Sequence, residues 1–174
     1  YWLKWLNEKN FTTLFIDGNH ENFNMLNQYP VEYYHGGKVH KISDSIYHLM
    51  RGQVFEFDGN TYFTIRGAYS HDKEFRVENR SWWESELPTD VEYEEAEKNL
   101  NKVNRKVDYI ITHCAPDSIQ DVFADWYGHN KLTNFLENIK CTTDYKKWYF
   151  GHYHIDVSID TKHCALYDKI IKVI

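Results

Sequence analysis

Three short segments of this 174-residue chain carry the residue types that can hold a cation against an oxygen-rich substrate. The first is Leu14-Phe15-Ile16-Asp17-Gly18-Asn19-His20-Glu21. The second is Tyr109-Ile110-Ile111-Thr112-His113-Cys114-Ala115-Pro116, and the third Trp148-Tyr149-Phe150-Gly151-His152-Tyr153-His154. Each begins as an apolar run of buried-strand type and ends in a turn bearing Asn or His. Ligands of α/β sheets gather where the carboxyl ends of strands release their loops. Imidazole suits Zn, Fe and Mn, and an amide oxygen suits the harder ions. Such a mixed donor set fits ions that polarise phosphoryl oxygens. Taken singly, Gly18-Asn19 reads as a turn and His-x-His as a weak pair; the ordered trio is what points to a site. His35, His40, His48, His71, His129 and His163 lack such a setting and read as surface or structural.

The elements that position these turns follow from periodicity. Trp2, Trp5 and Leu6 give one face of a helix over residues 1–10, and 12–16 reads as a strand. A short helix over 21–28 has few apolar residues to support it. Runs at 46–50, 53–57 and 61–65 read as strands, the last two joined through Asp58-Gly59-Asn60, a hairpin signal. Thr89 with Glu92 three residues later forms a capping-box pattern, predicting an amphipathic helix over 90–104. The acidic run 84–97 reads as its solvated face. Residues 107–112 predict a strand. Leu132, Phe135, Leu136 and Ile139 predict a second helix after Asn130, and 148–150 another strand. The stretch 155–174 alternates enough for two or three more. The sum is α/β with a substantial mixed or antiparallel sheet, in a single domain spanning 1–174.

Composition narrows the function classes. Hydrophobic residues are 42% and aromatics 17%, enough for a packed core and unlike a disordered chain. No apolar run is long enough for a membrane span, so no membrane partner is expected. Cys114, Cys141 and Cys164 are odd in number and lack metal or redox spacing, which suits a reducing, cytoplasmic setting. Cys114, beside His113, reads as a packing thiol. A formal net charge of -6 makes nucleic acid an unfavoured partner.

Gly18-Asn19-His20-Glu21, Thr112-His113-x-x-Pro116 and Gly151-His152-Tyr153-His154 resemble, in order and separation, motifs three to five of the calcineurin-like metallophosphoesterases. Arg66-Gly67-Ala68-Tyr69-Ser70-His71-Asp72-Lys73, with Ser81-Trp82-Trp83-Glu84 and Pro88, looks like a bacterial or phage branch of that family. The resemblance runs from about residue 12 to the end of the chain. It implies a four-layer α/β/β/α sandwich that hydrolyses phosphate esters, monoester or diester, with two divalent metal ions (Mn, Fe or Zn). By motif, Asn19, His113 and His152 would bind one ion and His154 the other. His20 would be the catalytic residue, stabilising or protonating the leaving oxygen, with Glu21 or Asp17 tuning it. Arg51, Arg66 and Arg76 are candidates for substrate phosphate, and Trp82 and Trp83 for a cleft wall or the core.

One departure carries weight. The family opens with Asp-x-His and Gly-Asp, which supply the carboxylate between the two ions. No Asp-x-His occurs in this chain, and none of its eight glycines precedes Asp. The expectation is therefore an incomplete sandwich whose N-terminal motifs lie upstream of Tyr1, on a segment that is a missing partner of the site. Such a fragment should bind at most one ion and be inactive alone. The rival is a non-catalytic remnant, serving as a single-metal or protein-interaction module.

Overall fold

The computed structural model describes residues 1–173. Two mixed sheets and a layer of helices make up the fold. After helix α1 (Trp2–Asn7) the chain enters β1 (Thr13–Phe15) and the short helix α2 (Phe23–Leu26). Strands β2 (Val31–Tyr34), β3 (Gly37–Ser43) and β4 (Ile46–Leu49) follow, and the four strands form a sheet ordered β1-β4-β3-β2. β1 runs parallel to β4, while β2-β3 and β3-β4 are antiparallel.

The second sheet is built from β5 (Gln53–Phe57), β6 (Asn60–Ile65), β7 (Tyr109–Thr112), β8 (Lys147–Phe150), β9 (Val157–Ser158) and β10 (His163–Ala165), in the order β5-β6-β7-β8-β10-β9. β6, β7 and β8 are parallel, and their registers pair Ile65 with Thr112 and Thr112 with Phe150. All three strands therefore end at one edge, and the loops after them start side by side. The predicted Asp58-Gly59 turn joins β5 to β6, with φ of 50° and 75° at its two central residues.

Helices α3 (Asp90–Lys102) and α5 (Lys131–Thr142), with α4 (Asp117–Gln120) between them in sequence, cover this sheet. Their apolar stripes, Tyr93, Ala96 and Leu100 from α3 and Leu132, Leu136 and Ile139 from α5, share one core with Phe63, Ile65, Ile110, Trp148 and Phe150. The capping box at Thr89 and Glu92 is formed in both directions, and the Asn130 side chain caps α5 by accepting from Leu132 N and Thr133 N. A smaller cluster of Val39, Leu49 and Phe55, flanked by Leu14, Ile16, Tyr47 and Tyr62, joins the two sheets.

Two elements differ from the sequence reading. The β2-β3 hairpin was not foreseen: its tight turn places His35 and Gly36 at positive φ, with Gly36 following a His rather than the usual Asn or Asp. α1 is helical but buries none of its residues, and Trp2 stays 70% exposed. The tail holds two short strands, within the two or three expected over 155–174, with Ile174 outside the described residues. No helix among the described residues is long and apolar enough to cross a membrane.

Candidate functional site

Asn19, His20, His113, His152 and His154 all line one cavity of about 500 Å³, together with Ile16, Gly18, Glu21, His71, Asp72, Tyr127 and Tyr167. The five residues singled out from the sequence thus come from three strand ends to one place. β1 delivers Gly18 to Glu21, β7 delivers His113, and β8 delivers His152 and His154. Gly151 N donates to His113 O at 3.0 Å, which locks the second turn to the third.

The centre of the cluster is a trio. His113 Nε2 lies 3.0 Å from Asn19 Oδ1, and the His113 and His152 rings sit 5.1 Å apart. Gly18 is what lets the first turn approach: a Cβ there would stand 2.9 Å from His113 Cε1. Burial first, then the nearby His20 and His154, push the His113 imidazole down to about 4. Burial, then His113, His71, His154 and His20, push His152 down to about 3. Both rings are therefore neutral near pH 7, with a nitrogen lone pair available to a cation.

The third turn is strained in a way that displays its histidines. His152 and His154 have φ of 70° and 53°, a left-handed conformation that residues other than glycine seldom adopt. Tyr153 between them is the anchor. It is buried, its hydroxyl donates to Gln120 Oε1 at 2.8 Å, and it accepts from Ala115 N at 3.0 Å. His152 is half-buried at the trio, whereas His154 is exposed and stacks on Tyr167 at 4.8 Å.

His20 stands at the rim. Its Nε2 lies 3.4 Å from Asn19 Nδ2 and 3.3 Å from Arg76 Nη2. Arg76 in turn donates from Nε to Asp72 Oδ1 at 2.6 Å, and this pairing holds the Asp72 carboxyl below its ordinary range. Of the three arginines weighed for substrate phosphate, only Arg76 reaches the cavity mouth. Arg51 and Arg66 are buried and spent on Asp17, with Arg51 also donating to Ser85 O and Glu92.

Asp17 does not tune His20. Its carboxylate is fully buried, takes a 2.6 Å bond from His48 Nε2 and contacts Arg66 and Arg51. His48 Nδ1 continues to His40 Nδ1 at 2.9 Å, so two of the histidines read as structural do brace this closed cluster. Trp82 and Trp83 are buried and stand outside the cavity wall. Cys114 is also buried, in the main core, and burial pushes its thiol up to about 12.

His71, Asp72, Tyr127 and Tyr167 are cavity residues that the sequence reading did not single out as site residues. His71 was set aside as incidental, yet it follows β6 as His113 follows β7, only six residues later; its ring packs 4.5 Å from Tyr127. A fourth strand-then-histidine segment was the available signal.

The donor set suits a transition-metal ion, with two neutral imidazoles and one amide oxygen. Among the described residues, no three His, Cys, Asp or Glu side chains form a metal cage by themselves. No carboxylate among them pairs with His113 or His152. No protein-family model matches the chain, and no curated protein matches it.

Proposed function

We propose that the cavity is a metal-dependent phosphoesterase site of the calcineurin-like kind, on an α/β/β/α sandwich. The observation that carries this reading is the convergence of Asn19, His113 and His152, from three separate strand ends, at one cavity. Those three would hold one divalent ion (Mn, Fe or Zn), and His154 would contribute to a second. When bound, such ions supply Lewis-acid polarisation of a phosphoryl oxygen.

The chain's own groups account for the rest. The His20 ring lines the cavity, and with its Nε2 accepting from Asn19 Nδ2 and Arg76 Nη2 its Nδ1–H would be the donor to an ester oxygen as it leaves. The Arg76 guanidinium beside it offers a planar donor to a phosphate, with its charge held in place by Asp72. Tyr127 and Tyr167 wall the cavity.

A second reading has an observation of its own. Glu21 and Asp72 line the cavity, but no carboxylate among the described residues pairs with His113 or His152, so no bridge between two like-charged ions is in place. A single-metal module without turnover, or a protein-interaction module, accommodates that fact. One experiment separates the readings: Mn²⁺ uptake and hydrolysis of bis-p-nitrophenyl phosphate, in wild type and Asn19→Ala. Metal-dependent turnover lost with Asn19→Ala supports the esterase. Uptake of one ion per chain without turnover supports the single-metal module. No uptake at all removes both metal readings.

A further inference from the structure

The acidic run 84–97 contains one residue that does not belong to a solvated face. Glu86, in a 3₁₀ turn ahead of α3, is only 2% exposed. Its Oε1 accepts from Ser70 N at 3.1 Å, and its Oε2 accepts from Ser70 Oγ at 2.6 Å. The second distance is that of a hydroxyl donating to a carboxylate. The loop after β6 lies tightly on this turn. Gly67 has φ of 104°, and a Cβ there would stand 2.2 Å from Glu86 O, so only glycine permits the approach.

A serine hydroxyl has one hydrogen. Here it is spent on Glu86, so Ser70 Oγ can only accept from elsewhere. Asn19 Nδ2 supplies that bond at 3.0 Å. With its amide nitrogen so committed, Asn19 turns Oδ1 toward His113. Ser70 and Asn19 are both buried, so water does not compete for these bonds.

We infer that Glu86 and Ser70 are positioning residues that fix which end of the Asn19 amide faces the cavity. The inference rests on the metal reading above, since a cation binds an amide oxygen and is repelled by an amide N–H. The polarity runs from Glu86 through Ser70 to Asn19 and cannot reverse while Glu86 is a carboxylate that only accepts. A glutamine at position 86 could instead donate its NH₂ to Ser70 Oγ. That frees the hydroxyl hydrogen for Asn19 Oδ1 and lets the amide turn its NH₂ to the ligands. Outer-shell groups of this kind typically change metal affinity by about 10–100-fold.

The test is a double-mutant cycle read by Mn²⁺ titration, following the electron paramagnetic resonance signal of the free ion, with thermal midpoints measured beside it. Glu86→Gln should weaken Mn²⁺ binding by about 10–100-fold. In an Asn19→Asp background it should cause no loss, because a carboxylate has an oxygen at either end and needs no orienting. Should Glu86→Gln fail to fold, Ser70→Ala enters the same cycle with the same expectation. Equal affinity of wild type and variant overturns the inference, as does an equal loss in both backgrounds, which marks general damage. A wild-type chain that takes up no Mn²⁺ overturns the metal reading, and this inference with it.

Discussion

Two polar clusters lie on either side of Gly18, and they are built on opposite plans. On one side Asp17, His48, Arg51 and Arg66 are buried and turned on one another, with His40 behind them. On the other, His113 and His152 are neutral, meet no carboxylate among the described residues, and open with Asn19 on a cavity. The closed cluster gathers two guanidinium groups on one carboxylate, with Glu92 as a further partner of Arg51, and joins β1, β4 and the loop after β6. In the open one Asn19 and His113 share a hydrogen bond, and both line a cavity with His152. Burial alone therefore does not mark a site; what distinguishes the two is whether the polar cluster is enclosed by protein or opens on a cavity.

The sharpest way to break this contrast is Asp17→Ala. It leaves the buried Arg66 guanidinium without its paired carboxylate and Arg51 with Glu92 alone, and removing one partner of such a set costs about 3–5 kcal/mol. Urea unfolding should show that loss, whereas His113→Gln should leave stability at pH 7 within about 1 kcal/mol of wild type. Comparable losses from the two substitutions would erase the distinction between the clusters.

A smaller effect sharpens it through pH. His113 is held at about 4 and His152 at about 3 in the folded chain, against about 6.5 when unfolded. Between those values the unfolded chain binds more protons, so stability is complete above about pH 6.5 and is lost as pH falls toward 4. Each such imidazole contributes a slope of up to ~1.4 kcal/mol per pH unit within that window. In the presence of a chelator, His113→Gln should therefore flatten the acid limb of the stability profile while leaving the neutral plateau in place. His48, driven to about 3 chiefly by burial, adds a similar slope. His48→Ala should lower the neutral plateau as well, because it removes a donor from Asp17. An acid limb unchanged by His113→Gln would show that this ring is not held neutral.

Much of the site was legible because its parts are local. A strand followed at once by a turn with Asn or His is visible in a few residues, and three such turns ended in one cavity. The helices were legible for the same reason, with Thr89 and Asn130 capping where the pattern placed them. What was not legible depends on partners far away in sequence. Asp17 sits two residues from Asn19, yet its role is set by His48, Arg51 and Arg66, which arrive from β4 and beyond. Glu86 looked like one more solvated acid in a run of them, and only the approach of Gly67 and Ser70 buries it. His71 escaped because six residues separate it from the end of β6. The β2-β3 hairpin escaped because its turn uses His35 at a position where Asn or Asp is the usual signal.

The central claim is that Asn19, His113 and His152 hold a divalent cation. A crystal of the protein soaked in Mn²⁺, with data collected at the manganese absorption edge, tests it most directly. The account predicts one anomalous peak within about 2.0–2.3 Å of Asn19 Oδ1 and of a ring nitrogen of both His113 and His152. A map without a peak in this cavity, or with manganese held instead at other residues, would contradict it.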